Sequence, residues 1–397
     1  MRAFIGERRS DVHLLVADAG VKAVSLARLD RLGLRVPPAI VLDASLSREY
    51  QQRGALPPGF AVQLAAALRE IEDATGLTLG GEKPLLLSVR PSPVATMPGL
   101  LPVLLNVGLT EARVPDLIRR TGNAWLAWDC YRRLVRGFAS AVDSQSLVPF
   151  DRLMSTHLAR ARARTLQELD PMSMRDLARG LADLRRINGA PPLPVNALDQ
   201  VVRAVDAVLA AWHAPHAQAC RRVYGIDEAA GTAVLLQAMV FGNWGARSGS
   251  GQAFTHGDGL RVDFAFNAQG GDDRADAGDS ALLRLVLPEI WSELESARSI
   301  VRHELEDIRH VDFTVEDSRL YFLQTHSTLS PGTPHGLPSS RPARTLRRPR
   351  SVAAADADPR RPAASFGAGT RGGRRPSPGV ADDVREERSG GAGADSA

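Results

Sequence analysis

Residues 232–267 read TAVLLQAMVFGNWGARSGSGQAFTHGDGLRVDFAFN, the one stretch of the chain where strand, glycine-rich loop and strand follow without a break. The apolar and β-branched run 232–241 predicts a buried strand, after which Gly242, Gly245, Gly249 and Gly251 punctuate a polar loop. Glycine lacks a Cβ, so backbone N–H groups can approach an anion closely, and successive N–H groups can form a concave anion site. A short strand over 252–255 follows the loop, where a Walker loop would need Gly-Lys-Ser/Thr running into a helix. The expectation is therefore a glycine-rich hairpin clamp for phosphate, with a plain turn as the bland alternative.

Other stretches carry a resemblance. AVLLQAMVFGNWGARSGSGQAFT from Ala233, LLLSVRPSPVATMPGLLPVLLNVGL from Leu85, NAWLAWDCYRRLVRGFA from Asn123 and VDFTVEDSRLYFLQT from Val311 stand in the same order as four blocks of the ATP-grasp domain of pyruvate, phosphate dikinases. The sequence resembles that family over roughly residues 18–325. The FGNxG and SVRxxxxxxMPG wording is closer to the dikinases than to the related phosphoenolpyruvate synthases.

The resemblance implies an α+β ATP-grasp fold with two lobes. Residues 1–110 would form a first lobe, 111–190 a helical insertion, and 191–329 the rest, with the glycine clamp and a metal-site hairpin; the Pro-, Gly-, Ala-, Ser- and Arg-rich composition of 330–397, with hardly an aromatic, separately predicts a disordered tail. It implies ATP and Mg2+, with Lys22, Arg90, Gln237, Gly242, Gly245, Gly249 and Gly251 contacting the nucleotide. Asp312 and Gln324 would hold the metal and, with Arg90, act in catalysis. The family's phosphohistidine domain and phosphoenolpyruvate barrel are not recognisable beyond residue 330, so the acceptor histidine would come from another chain.

Composition sets the wider frame. With 397 residues and 44% hydrophobic content the chain has enough apolar material for two or three domains. Cys130 and Cys220 form no CxxC pair, so neither a disulfide framework nor a zinc-binding cysteine site is expected. No run of eighteen apolar residues and no signal-like start is evident, and the expectation is a soluble cytoplasmic protein. Of the net charge of +4, residues 330–397 supply +5, with twelve arginines against seven carboxylates, and the remainder carries −1. A nucleic-acid surface would have to lie in that tail, and neither nucleic acid nor membrane is expected as a partner.

Taken in order, residues 12–42 read as strand, turn at Gly20, helix and strand, with Lys22 at the helix start. An ammonium is disfavoured there unless an anion shares the site. Residues 60–76 predict a helix. The run 84–89 predicts a strand ending at Arg90, whose planar fork suits phosphate oxygens. Residues 111–190 are helical in pattern, with Leu126, Cys130, Leu134 and Phe138 four apart; Arg132 and Arg133 lie in a region the family uses near the phosphates. GAPPLP at 189–194 reads as a linker, 195–212 as a helix, 262–269 as a strand, and the stretch from Pro288 as a long helix with a stripe through Ile290, Leu294 and Val301. In the hairpin 311–324, a three-residue loop at Glu316, Asp317 and Ser318 would put Asp312 and Gln324 on one face, and a two-residue loop would put them on opposite faces.

Several positions depart from the family. Pro102 and Val103 stand where it has Asp-Thr, Gly271 where it has Glu, His256 followed by Gly257 and Asp258 where it has RNP, His310 where it has Asp, Asp312 where it has Glu, and His326 where it has Arg. They leave two readings: a phosphotransferase acting on a histidine supplied in trans, or a nucleotide-binding pseudoenzyme.

Overall fold

The computed structural model describes residues 2–7, 13–95, 97, 99–227, 229–255, 259–270, 280–305 and 308–327. His256–Asp258, Gly271 and the whole of 330–397 lie outside the described residues, and with them the expectation of a disordered tail. The described part is α+β: two antiparallel sheets and their covering helices.

The first sheet contains β1 (Arg2–Ile5), β2 (Ala39–Leu42), β3 (Leu87–Ser92), β4 (Leu104–Val107) and β5 (Ala233–Ala238), in the order β1-β2-β5-β3-β4. All residues of β2 and β5 are buried, which is why both read as unbroken apolar runs rather than as alternating ones. Strand alternation sorts the two faces. Ile40, Leu42, Leu87, Val89, Val234 and Leu236 join one core, which also contains residues of a helix Phe60–Thr75 and a helix Ala124–Ala141. Ala39, Val41, Ala233 and Leu235 belong to the other, shared with α1 (Val16–Arg31) and the second sheet. Ser88, Arg90 and Gln237 have the parity of this second face.

Between β2 and β3 lie α2 (Ala44–Arg53) and α3 (Phe60–Thr75), and beyond β4 the chain is helical, as its period predicts: α4 (Val114–Thr121), α5 (Ala124–Ala141), α6 (Val148–Ala161) and α7 (Pro171–Ile187), then α8 (Ala197–His213) and α9 (Pro215–Val223). Asn123 caps α5 by accepting from the Leu126 amide, and Leu126, Cys130, Leu134 and Phe138 are all buried.

The second sheet holds β6 (Gly249–Phe254), β7 (Arg261–Phe266), β8 (Ile308–Glu316) and β9 (Arg319–Ser327), in the order β7-β6-β8-β9. Val311, Phe313, Val315, Leu320 and Phe322 share a core with α10 (Ser280–Val286) and α11 (Pro288–Glu304), whose Ile290, Leu294 and Val301 are buried as the stripe predicts. The even-numbered β8 residues His310, Asp312 and Thr314 then face the other way. Two hydroxyls tie α1 to this sheet: Ser25 Oγ lies 2.6 Å from Thr325 Oγ1 and accepts from the Thr325 amide at 2.9 Å.

Four expectations need correction. Of the strand expected from residue 12, which itself lies outside the described residues, residues 13–15 are coil leading into the helix from Val16, and the first described strand is β1, which the sequence reading missed. Arg90 lies inside β3 rather than after it. The strand expected to reach residue 241 ends at Ala238. The glycine-rich stretch is not a hairpin, because β5 and β6 belong to different sheets and the loop between them crosses from one to the other.

The hairpin question has an unexpected answer. The loop between β8 and β9 has two residues, Asp317 and Ser318, both with positive φ (43° and 63°) as tight hairpin turns require. On strict alternation that would place Asp312 and Gln324 on opposite faces. A register shift between the pairs Phe313–Phe322 and Asp312–Gln324 leaves Leu323 as an extra residue and returns Gln324 to the face of Asp312.

Within α1, Gly20 has φ +72° and ψ 170° and breaks the helix. A Cβ there would overlap the Ser92 carbonyl, while Ser92 Oγ donates to Ala19 O (2.8 Å) and accepts from the Ala23 amide (3.1 Å). The start of the helix proper is thus locked onto the end of β3. We expect Gly20→Ala to destabilise the chain by at least ~2 kcal/mol, since it combines a glycine-only conformation with a backbone clash; urea unfolding followed by circular dichroism checks this.

Candidate functional site

Two strands of the first sheet and two of the second bring their polar residues to one place. Arg90 donates through one guanidinium nitrogen to Gln237 Oε1 (3.3 Å) on β5, and through the other to Gln324 Oε1 (3.1 Å) on β9. One planar fork therefore spans both sheets, which a lysine with its single charged point cannot do. Gln237 is 2% exposed, and its Nε2 has no hydrogen-bond partner; the Arg90 Nε is likewise buried and unpartnered. Buried donors left in this condition are costly unless an acceptor arrives.

A cavity of about 240 Å³ opens here, lined among others by Arg90, Val103, Gln237, Ser250, Asp312 and Thr314. A larger cavity of about 600 Å³ shares Ala238, Met239 and Val240 with it but contains none of the residues singled out from sequence. The smaller cavity is the candidate because the chemistry converges on it. Val103, one of the departures from the family, lines it with an apolar surface.

Lys22 joins this group through electrostatics. Burial, and then the neighbouring Arg90, pull its pKa from 10.5 to about 7, and among the described residues no acidic group opposes them. The Arg90 guanidinium is also pushed away from its charged form by burial, with Asp312 acting in the opposite sense. An anion between the two cations would relieve both.

On the second sheet Asp312 is held on both oxygens. Gln252 Nε2 donates to Oδ1 (2.8 Å), and His326 Nε2 lies 2.8 Å from Oδ2. Gln324 Nε2 sits 3.3 Å from the same histidine nitrogen, and the rings of His310 and His326 stack with centroids 4.2 Å apart and planes 15° from parallel. Magnesium favours hard oxygen ligands in near-octahedral geometry. Here the Gln324 carbonyl is committed to Arg90, and the carboxylate is surrounded by an amide and imidazoles. These donors fit magnesium poorly.

The structure thus brings together Arg90, Gln237, Asp312 and Gln324, with Gly251 on the cavity wall, and Lys22 is near enough for the Arg90 charge to act on it. It does not gather the other glycines as an anion nest, and none of the four has positive φ. Gly249 and Gly251 lie under Phe264 and Phe313, whose rings stack at 5.7 Å, and a Cβ at either position would overlap one of those rings. The Gly242 amide is taken by Gln269 Oε1 (2.7 Å), and Gly245 faces open space. Arg132 and Arg133 are bound to the fully buried Asp129 at 2.6 and 2.7 Å, a structural neutralisation. Gln252 and Ser250, which sequence reasoning missed, alternate with the glycines along β6; that alternation was the available signal.

No family model matches the chain. By sequence the chain is similar to part of pyruvate, phosphate dikinases. It is 31% identical over 331 residues to the pyruvate, phosphate dikinase of Rhizobium meliloti (strain 1021), covering 78% of this chain and 37% of that protein. It is 33% identical over 315 residues to the chloroplastic enzyme of Flaveria pringlei (77% and 33%), and 32% identical over 318 residues to pyruvate, phosphate dikinase 2 of Zea mays (77% and 36%). The chain spans about a third of the length of the curated relatives it matches, as a partial dikinase-like domain does. Among the described residues no helix is long and apolar enough to cross a membrane.

The two lysines of the chain, Lys22 and Lys83, make the electrostatic reading directly measurable. In a nitrogen-15 NMR titration of the side-chain Nζ atoms, assigned with Lys22→Arg, Lys22 should titrate near 7. Saturating tripolyphosphate should move that midpoint upward, because the anion favours the charged form.

Proposed function

We propose that this chain is an ATP-grasp-type phosphotransferase domain that binds ATP at the junction of its two sheets and passes phosphoryl groups from it to a histidine supplied by another chain. The observation that carries the reading is the Arg90 fork, shared between Gln237 and Gln324 at a cavity where a buried amide donor lacks an acceptor. The sequence similarity to dikinases supports the same reading.

Phosphoryl transfer demands positioning and charge neutralisation more than covalent help from the protein. In this reading the polyphosphate takes its place between Lys22 and Arg90 and accepts from Gln237 Nε2. Charging Lys22 costs less once the anion is present, so the affinity rises as pH falls toward about 7, the midpoint of the unliganded amine. The bond from the β-phosphorus to the oxygen that bridges it to the α-phosphate breaks, a bond from the β-phosphorus to an imidazole nitrogen of the acceptor forms, and the electron pair leaves with AMP. Lys22 and Arg90 supply the neutralisation, and magnesium, kept as the nucleotide's counter-ion, needs nothing from the hairpin. The cavity is smaller than the ~300–1,000 Å³ typical of small-molecule sites. Nucleotide entry therefore requires the sheets to part, with the Arg90–Gln324 contact as the bond released.

A second reading, a nucleotide-binding pseudoenzyme, is favoured by the closed Asp312–His326 pair and by Val103 on the cavity wall.

Calorimetry on the full chain should show ATP binding weakened at least about tenfold, ~1.4 kcal/mol, by Lys22→Ala and by Arg90→Lys; unchanged affinity in both variants would overturn the site. Isotope exchange between AMP and ATP, with an isolated dikinase phosphohistidine domain added, then separates the readings. Exchange in the unmodified chain that is lost in Lys22→Ala and Arg90→Lys at saturating ATP marks a working transferase, whereas binding without exchange marks the pseudoenzyme.

A further inference from the structure

We propose that the larger cavity, of about 600 Å³, is a second ligand site that takes a free α-amino acid with an apolar side chain, its carboxylate on Arg120 and its ammonium on Glu316. Ala238, Met239 and Val240 are common to this cavity and the smaller one, but Arg90, Gln237 and Asp312 line only the smaller. The inference therefore does not depend on nucleotide binding.

Two opposite charges face the cavity without meeting. Arg120 stands in the last turn of α4, with its guanidinium over the Trp244 ring at 5.5 Å. Stacking of this kind occupies a face of the guanidinium and leaves its in-plane donors for other partners. Among the described residues those donors have no hydrogen bond and no ion pair. Glu316 ends β8; its Oε1 accepts from the Phe241 amide (2.9 Å), and its Oε2 has no hydrogen-bond partner among the described residues. Both groups are on fixed elements. The turn after Glu316 is tied down by the Asp317 amide donating to Ser248 Oγ and the Ser318 amide donating to Arg247 O, each at 3.0 Å.

Each charge carries a burial cost that contact with the other does not offset. Burial pushes the Glu316 carboxyl upward, with Asp317 acting in the same sense and the Phe241 amide, Arg120 and Arg319 in the opposite one. Burial likewise pushes the Arg120 guanidinium away from its charged form, with Glu316 the main group opposing it. A ligand with a single charge would satisfy one pole and leave the other. A zwitterion satisfies both, because its carboxylate can accept two parallel bonds from the guanidinium fork while its ammonium donates to Oε2.

The remaining lining selects the side chain. Arg35 is held by Leu320 O (3.2 Å) and Glu293 (3.7 Å), Arg319 by the Tyr321 hydroxyl, and Glu7 and Asp30 are engaged as well. Leu34, Val36, Pro37, Pro38, Leu77 and Met239 supply an apolar wall. The volume lies within the ~300–1,000 Å³ usual for small-molecule sites, and such sites combine an apolar lining with a few placed polar groups.

The test is calorimetry on the full chain without nucleotide, with L-leucine, L-methionine and L-phenylalanine as probes; at least one should bind at a single site. The same molecule without its amino group, and its amide, should each bind at least about tenfold more weakly. Arg120→Gln and Glu316→Gln should weaken the amino acid by a similar factor, and the glutamine at 316 keeps an acceptor for the Phe241 amide. Glu316→Gln should leave the affinity of the deaminated analogue unchanged, and Arg120→Gln that of the amide, because each variant removes a pole whose partner is already missing. A purely structural effect would weaken every ligand alike. Circular dichroism checks that the variants are folded, and the analogue comparison needs no variant. No binding of any of the three at millimolar concentration, a deaminated analogue bound as tightly as the amino acid, or variants that weaken all ligands equally overturns the proposal. Amino-acid binding in a chain that binds no ATP supports it and overturns only the nucleotide reading.

Discussion

The Arg90 guanidinium, divided between Gln237 on one sheet and Gln324 on the other, is the contact on which the site depends. A guanidinium is planar and offers donors on two edges, so it fixes the separation and tilt of the two partners together. Both partners are glutamines, and a neutral amide leaves the positive charge uncompensated by contact. Asp312 acts on Arg90 only at longer range. The same charge then reaches Lys22, whose helix start is pinned to β3 through Gly20 and Ser92. Two cations held together inside a protein are an electrostatic cost that an anionic ligand removes.

The second sheet meets this cationic side with a face that exists only because its hairpin is irregular. Val311, Phe313 and Val315 must face α11, which sends His310, Asp312 and Thr314 the other way by simple alternation. Leu320 and Phe322 do the same on β9, and strict alternation would bury Gln324 and His326 among apolar side chains. The extra residue at Leu323 avoids that burial and aligns the two polar sets. Hydrophobic packing on one face thus determines the chemistry presented on the other.

Much of this was legible in the sequence, and the exceptions have identifiable causes. The longer helices, such as Phe60–Thr75, Ala124–Ala141 and Pro288–Glu304, followed from apolar spacing, whereas the short ones at Ala44–Arg53, Pro215–Val223 and Ser280–Val286 did not. The polar residues of β8 could be read from alternation, and β9 contained its own signal: apolar at 320 and 322, then polar at 324 and 326 with the same parity, a pattern that requires one inserted residue. The three- or two-residue loop alternatives did not include that irregularity. The glycines misled for a different reason. Their spacing looks the same whether they approach an anion or lie under aromatic rings, and only the distant partners Phe264 and Phe313 decide between the two. Likewise the apolar run ending at Ala238 could not reveal that the chain changes sheet after it, because pairing partners are set by long-range contacts. β1 is four residues at the very start of the chain, too short for any period to show.

The two sides of the site also constrain each other. A polyphosphate held by Lys22 and Arg90 would extend toward Asp312, and a bare carboxylate facing phosphate oxygens is repulsive. His326 is set against Asp312 at 2.8 Å, on the carboxylate oxygen that Gln252 does not hold. Any counter-ion that the nucleotide brings to the hairpin and the phosphate held at the sheet junction would each change the other's affinity by the same factor, so the charge at Asp312 and the grip of Lys22 and Arg90 are linked by one coupling free energy, while each affinity keeps its own magnitude.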